Sequence, residues 1–131
     1  MFSRGPVPPL VHGMLDYVLA GVLIAAPFVL SFDETAATVL AIIAGVAALL
    51  LAAFTAWTTG IVKSIPVVAH AILDYLLCIL FIVSPFLFGF SDDDAASAFF
   101  VLLGIAGLLL TVATRFTPDR GEPRGRRTRP A

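Results

Sequence analysis

The sequence predicts an all-α membrane protein of four transmembrane helices, built as two parallel helical-hairpin repeats about a pseudo-two-fold axis along the membrane normal. Three observations lead there: four long apolar stretches, an internal repeat, and charges sorted to opposite ends of those stretches. The 131 residues are 60% hydrophobic and only 13% charged, with a mean hydropathy of +1.02. Soluble domains carry roughly 25% charged residues, so the natural solvent of this chain is a bilayer.

The first span is expected over about residues 10–30, after the proline-containing segment 1–9. Pro8 and Pro9 suit a helix start, where the missing N–H costs nothing. A secretory signal peptide is set aside, because the same pattern recurs at 69–90. Phe32-Asp33-Glu34 breaks the apolar run, and Thr35 or Thr38 could cap the next helix. That span is expected over about 37–56, with small residues (Ala41 and Gly45; Ala44, Ala48 and Ala52) spaced four apart for close helix approach. Trp57 is placed at the membrane interface, Thr58-Thr59-Gly60 reads as a turn, and 57–65 is a connecting loop. The third span is expected over about 66–88, opened by Pro66, and an acidic loop 89–94 leads to the fourth, about 95–114. Segment 117–131, rich in Pro, Gly and Arg, is expected to be disordered. The organisation is therefore 1–9, a first two-span repeat 10–56, the loop 57–65, a second two-span repeat 66–116, and a basic tail 117–131.

Four spans bring the N-terminus, the 57–65 loop and the C-terminus beyond about residue 114 to one side of the membrane. All eight basic residues (Arg4, Lys63, Arg115, Arg120, Arg124, Arg126, Arg127, Arg129) fall there, and the loop acids Asp33, Glu34, Asp92, Asp93 and Asp94 fall on the other side. By the positive-inside rule both termini are expected in the cytoplasm, in a multi-pass protein of the cytoplasmic membrane. The basic tail could lie against anionic lipid head groups. A net charge of −1 gives no support to nucleic-acid binding.

Residues 11–32 align without a gap on 69–90, with identity at nine of twenty-two positions: His, Leu, Asp, Tyr, Leu, Ile, Pro, Phe and Phe. One extra residue near Ser91 then brings Gly45 into register with Gly104, and Thr55 with Thr114. Each copy opens with a polar hexapeptide, His12-Gly-Met-Leu-Asp16-Tyr17 and His70-Ala-Ile-Leu-Asp74-Tyr75. Ten residues after each tyrosine stands Pro-Phe: Pro27-Phe28 and Pro85-Phe86. The prolines deprive the carbonyls of Leu23 and Phe81 of a helical donor and are expected to kink the odd helices. Phe28, Phe32, Phe86 and Phe90 are expected at the outer interface.

These features resemble the bacterial SPW-repeat integral membrane proteins, named for a Ser-Pro-Trp motif near the end of the odd-numbered helix. The corresponding residues here are Ala26-Pro27-Phe28 and Ser84-Pro85-Phe86, so phenylalanine replaces the signature tryptophan in both copies. The resemblance covers about residues 10–116. It implies a four-helix membrane protein and brings no catalytic residue with it.

Positions i and i+4 share a helix face, so His12 stacks with Asp16 and His70 with Asp74. A carboxylate in a span costs several kcal/mol unless it faces the bundle and finds a partner. Several readings stay open for His12, Asp16, Tyr17, His70, Asp74 and Tyr75. One is a polar clasp between the repeats; others are a divalent metal site of zinc, manganese or iron type, bis-histidine haem ligation, and a proton or small-solute path. No motif dedicated to a cofactor is present. Enzyme activity is not expected, since no nucleophile–base set or nucleotide loop stands out. Cys78, the only cysteine, excludes an intramolecular disulfide. The leading expectation is a structural or accessory membrane module, working as a homo-oligomer or within a larger membrane complex, with transport or ligand binding as the alternative.

Overall fold

The computed structural model describes residues 5–116. Arg4 and the tail 117–131, with its expected disorder and lipid contact, lie outside the described residues. Four helices follow in order: α1 (Pro9–Val29), α2 (Thr35–Phe54), α3 (Val67–Leu87) and α4 (Asp94–Ala113). At about 1.5 Å rise per residue each is roughly 30 Å long, the thickness of a hydrocarbon core. All four are long and apolar enough to cross a membrane, and no named strand occurs among the described residues. The exposed surface is rich in large apolar side chains such as Met14, Val18, Ile43, Leu76 and Leu102. That is the outside of a bundle solvated by lipid, so the chain is a small multi-pass membrane protein.

Within each repeat the two helices pack closely, α1 on α2 and α3 on α4, and small residues let them approach. A Cβ added at Gly104 would stand 2.7 Å from the carbonyl oxygen of Cys78; one at Gly45 would stand 2.7 Å from Cγ1 of Ile24. The register that pairs these glycines in sequence thus marks the same crossing in both hairpins. Ala20, Leu23, Ala37, Ala41, Ala44 and Ala48 from the first repeat share one core with Phe81, Phe90, Ala96 and Phe100 from the second.

The repeats also match at the odd-helix exits. After α1 the chain turns through Ser31 (φ 53°), and after α3 through Gly89 (φ 73°). Phe32 N–H donates to the Pro27 carbonyl at 3.0 Å and Phe90 N–H to the Pro85 carbonyl at 2.9 Å. These are the 6→1 bonds of a left-handed helix cap. Both prolines therefore sit in the last turn of their helices. In the second copy Ser84 Oγ donates to the Phe81 carbonyl at 2.8 Å, supplying the donor that Pro85 withholds; Ala26 has no hydroxyl to do the same.

Several local expectations are corrected. The N-cap of α2 is Glu34, without a side-chain cap bond, so neither Thr35 nor Thr38 caps it. Asp94 belongs to α4 rather than to the loop, and Asp93 is its N-cap. Asp93 is also buried, not part of an exposed acidic surface. Its Oδ2 accepts from the N–H groups of Asp33 (2.8 Å) and Glu34 (3.0 Å), and its Oδ1 from Ala96 N–H (3.1 Å). One carboxylate thereby starts α4 and ties down the tip of the other hairpin. Burial pushes its pKa up, but the N–H donors of Glu34, Ala96, Asp33 and Ala95 prevail and hold it below the usual carboxylate range. Phe28 and Phe86 are exposed, whereas Phe90 is wholly buried against Phe100, because the helix cap turns it inward. Trp57 is buried as well, for a reason that lies in the site below.

Candidate functional site

At the end of the bundle that carries residues 5 and 116, each repeat begins against the end of the other. Val7 N–H donates to the Ala113 carbonyl (3.0 Å) and Arg115 N–H to the Val7 carbonyl (2.9 Å). In the same pattern Ile65 N–H donates to the Phe54 carbonyl (2.7 Å) and Ala56 N–H to the Ile65 carbonyl (2.8 Å). These short parallel bridges leave Thr55 and Thr114 just past α2 and α4, both fully buried.

The bridges place each threonine against a histidine. Thr114 Oγ1 lies 2.7 Å from His12 Nδ1 and Thr55 Oγ1 2.6 Å from His70 Nδ1. The hydroxyl has one proton, and it is directed at a carbonyl: Thr114 donates to Leu110 at 2.7 Å, Thr55 to Leu51 at 2.6 Å. A carbonyl cannot donate, so the ring must supply the proton of the histidine–threonine bond. Both imidazoles therefore carry hydrogen on Nδ1, and Nε2 is turned toward the bundle axis.

There the two His/Asp pairs meet. His12 Nε2 is 3.2 Å from Asp16 Oδ1 and 2.9 Å from Asp74 Oδ2. His70 Nε2 is 3.1 Å from Asp16 Oδ2 and 3.2 Å from Asp74 Oδ2. Each ring nitrogen thus stands about equally far from its own helix's aspartate and from that of the other repeat. Only the His12–Asp74 contact is aligned as a hydrogen bond, donated by Nε2–H when that nitrogen carries the proton. Asp16 Oδ2 and His70 Nε2 are buried with no aligned partner. When both Nε2 atoms are protonated, two imidazoliums face two carboxylates and the set sums to no net charge.

An aromatic cover closes the site on the side of the termini. The Trp57 ring lies 4.7 Å from His70 and 5.5 Å from His12, and Phe116 lies 5.1 Å from His12. Trp57 and Phe116 stack at 6.0 Å with an 11° angle between planes. These contacts draw Trp57 inward. Each aromatic follows its buried threonine by two residues, so Thr-x-aromatic occurs once per copy. Gly13 makes room for the 57–65 loop, since a Cβ there would collide with the Thr59 side chain.

Tyr17 is half-buried and donates to the Thr59 carbonyl at 2.8 Å, which ties it to the 57–65 loop rather than to the four central groups. Tyr75, one residue beyond Asp74, is half-buried. On the side of the hairpin tips the site opens into a cavity of about 30 Å³, bounded by His12, Asp16 and Asp74 and otherwise chiefly by apolar residues including Leu77, Phe81 and Leu103. That is room for one water molecule or one ion. Beyond it the shared core of alanine, leucine and phenylalanine begins.

Sequence reading supplied the four central residues but not Thr55, Thr114, Trp57 or Phe116 as their neighbours. The signal was there, in the repeat register that superposes the two Thr-x-aromatic triplets. A family model, that of the SPW repeat domain, matches residues 10–114. Neither a curated protein nor a solved structure gives a match.

Proposed function

Since the chain belongs to the SPW repeat domain family, we propose that it works as a structural or accessory module of the cytoplasmic membrane, its two hairpins held together by a polar clasp. The observation that carries this reading is the exchange of partners. His12 of the first repeat meets Asp74 of the second, while His70 of the second meets Asp16 of the first. Apolar faces alone specify little about how two hairpins dock in lipid, because a lipid tail is as apolar as leucine. A buried polar set with one satisfying arrangement can fix that register. The apolar core beyond the cavity supports a closed module over a conducting path. No catalytic role is assigned to the set.

In this reading both termini face the cytoplasm, and the partners are a second copy of the chain or the subunits of a larger membrane complex. The basic residues after 116 meet anionic head groups. A reporter fused after Ala131 is expected to be cytoplasmic; an external reporter refutes the orientation.

The clasp is tested by a double-mutant cycle across the repeats. Unfolding of His12→Gln, Asp74→Asn and the double variant in mixed micelles should give a coupling between the two sites of about 0.5–3 kcal/mol. A coupling indistinguishable from zero overturns the clasp.

A further inference from the structure

We propose that His12, Asp16, His70 and Asp74 form a four-coordinate site for a divalent ion of the zinc type, with Thr55 and Thr114 as its positioning residues. The inference rests on the reading of these side chains as one junction, and it names the ligand of that junction.

Geometry comes first. One ligand atom from each of the four residues can be chosen so that all lie within 4.8 Å of one another. The four nitrogen–oxygen separations run from 2.9 to 3.2 Å. A tetrahedral ion with bonds of about 2.0–2.1 Å has ligand–ligand edges of about 3.3 Å. With Asp74 Oδ2 and either oxygen of Asp16 as ligands, three of the imidazole–carboxylate edges are therefore already near their bound length, and the fourth contact runs to the other Asp16 oxygen. Four good hydrogen bonds do not account for the arrangement, because three of the contacts are not aligned as such and two buried atoms lack an aligned partner. His70 Nε2, standing between two carboxylate oxygens rather than pointing at one of them, suits a common centre.

The surroundings select the ion. Thr55 and Thr114 hold Nδ1–H of each ring and leave Nε2 directed inward, the tautomer a metal-bound imidazole needs, with the outer-sphere bond that fixes ring orientation. Two carboxylates balance a 2+ charge, so the loaded site is neutral in the membrane. Two nitrogen and two oxygen ligands suit zinc and its first-row neighbours; calcium and magnesium want six or more oxygens. The adjoining 30 Å³ cavity leaves room for a water beside the ion. Asp16 and Asp74 keep about a tenth of their side-chain surface accessible, which offers a way in.

Cobalt(II) is the probe, added to the full chain purified in mild detergent, with zinc as competitor. The expected result is one cobalt per chain, a tetrahedral visible spectrum, and displacement by one equivalent of zinc. X-ray absorption of the zinc-loaded wild-type protein should show four nitrogen or oxygen neighbours at about 2.0–2.1 Å, imidazole among them. That measurement needs no variant to fold. A sulfur neighbour, or a six-oxygen shell, overturns the ligand set. Thr55→Val and Thr114→Val should each weaken cobalt binding about 10–100-fold, with serine at either position restoring most of it. If the His12/Asp74 cycle shows coupling but the wild type binds cobalt no more tightly than Asp74→Asn does, the metal site is refuted and the clasp stands. If coupling and binding are both missing, both readings fall.

Discussion

Replacing Thr114 by valine removes a hydroxyl while leaving the volume of the side chain nearly unchanged, so the loss it causes reports on hydrogen bonding rather than on a cavity. Two groups lose a partner. His12 Nδ1–H, held at 2.7 Å in a residue 1% exposed, makes its hydrogen bond to Thr114 alone. Leaving such a donor buried and unpaired costs about 1–3 kcal/mol. The Leu110 carbonyl loses the hydroxyl that reaches back one turn, while Thr114 N–H is already engaged by Thr111. Against this, the added methyl gains about 0.8 kcal/mol of apolar burial at most. The net expectation is a loss of roughly 2 kcal/mol, read as the change in unfolding free energy in mixed detergent micelles. Thr114→Ser keeps the hydroxyl, gives up a methyl, and should lie between wild type and Thr114→Val. Thr55→Val should cost a similar amount, because Thr55 stands to His70 and Leu51 as Thr114 stands to His12 and Leu110. In a His12→Leu background most of the penalty of Thr114→Val should vanish. A valine variant as stable as wild type, or a serine variant less stable than the valine one, refutes the assignment of the Nδ1 proton and the role given to these threonines.

Other outcomes follow from the same structure. Asp93→Ala should destabilise by about 0.5–2 kcal/mol as a lost N-cap, and more than Asp92→Ala, since only Asp93 accepts from the other hairpin. Because its carboxyl titrates below the ordinary range when folded, its contribution is fully present above about pH 4 and is lost as pH falls through the lower folded value. The acid-side fall in stability should therefore be shallower in Asp93→Asn; an unchanged profile tells against the bond set. Gly104→Ala should cost about 1–3 kcal/mol as overpacking, and more than Gly45→Ala, because the new Cβ would stand 2.7 Å from the Cys78 carbonyl oxygen, whereas at Gly45 the nearest backbone atom, the Ala20 carbonyl oxygen, is 3.0 Å away. Ser31→Gly should stabilise and Gly89→Ala destabilise, each by about 1 kcal/mol, since both positions hold φ above 50°.

Helix number, helix length and membrane residence were legible because they depend on the sum of many side chains. Twenty apolar residues in succession have few other outcomes, whatever the identity of each one. Single residues near the helix ends were less legible, since their fate depends on partners far along the chain. Three consecutive aspartates, Asp92 to Asp94, look alike in sequence. Their separation into a buried cap and two exposed acids is decided by the tip of the first hairpin, some sixty residues earlier. Phe90 is expected at the outer interface with Phe28, Phe32 and Phe86, but the left-handed turn at Gly89 directs it into the core.

The site divides in the same way. Spacing alone puts Asp16 on the face of His12 and Asp74 on that of His70, because i and i+4 are neighbours on any helix. That each histidine would also reach the aspartate of the other repeat is a tertiary fact, set where Val7 and Ile65 pair with the ends of α4 and α2. Those bridges span 107 and 10 residues along the chain (114 less 7, 65 less 55), yet they have one geometry. No local pattern could show that equivalence, but the repeat register could: it superposes His12 on His70 and Thr55 on Thr114. Two copies of a unit that both keep a histidine near the start and a threonine near the end, in apolar helices where either is costly to bury, are under a shared constraint. Exchange between the copies satisfies it. Each threonine accepts from the histidine of the other repeat, so neither hairpin completes its polar set alone. A separated hairpin should accordingly be less stable than half of the whole, by the share of these bonds that crosses between the repeats.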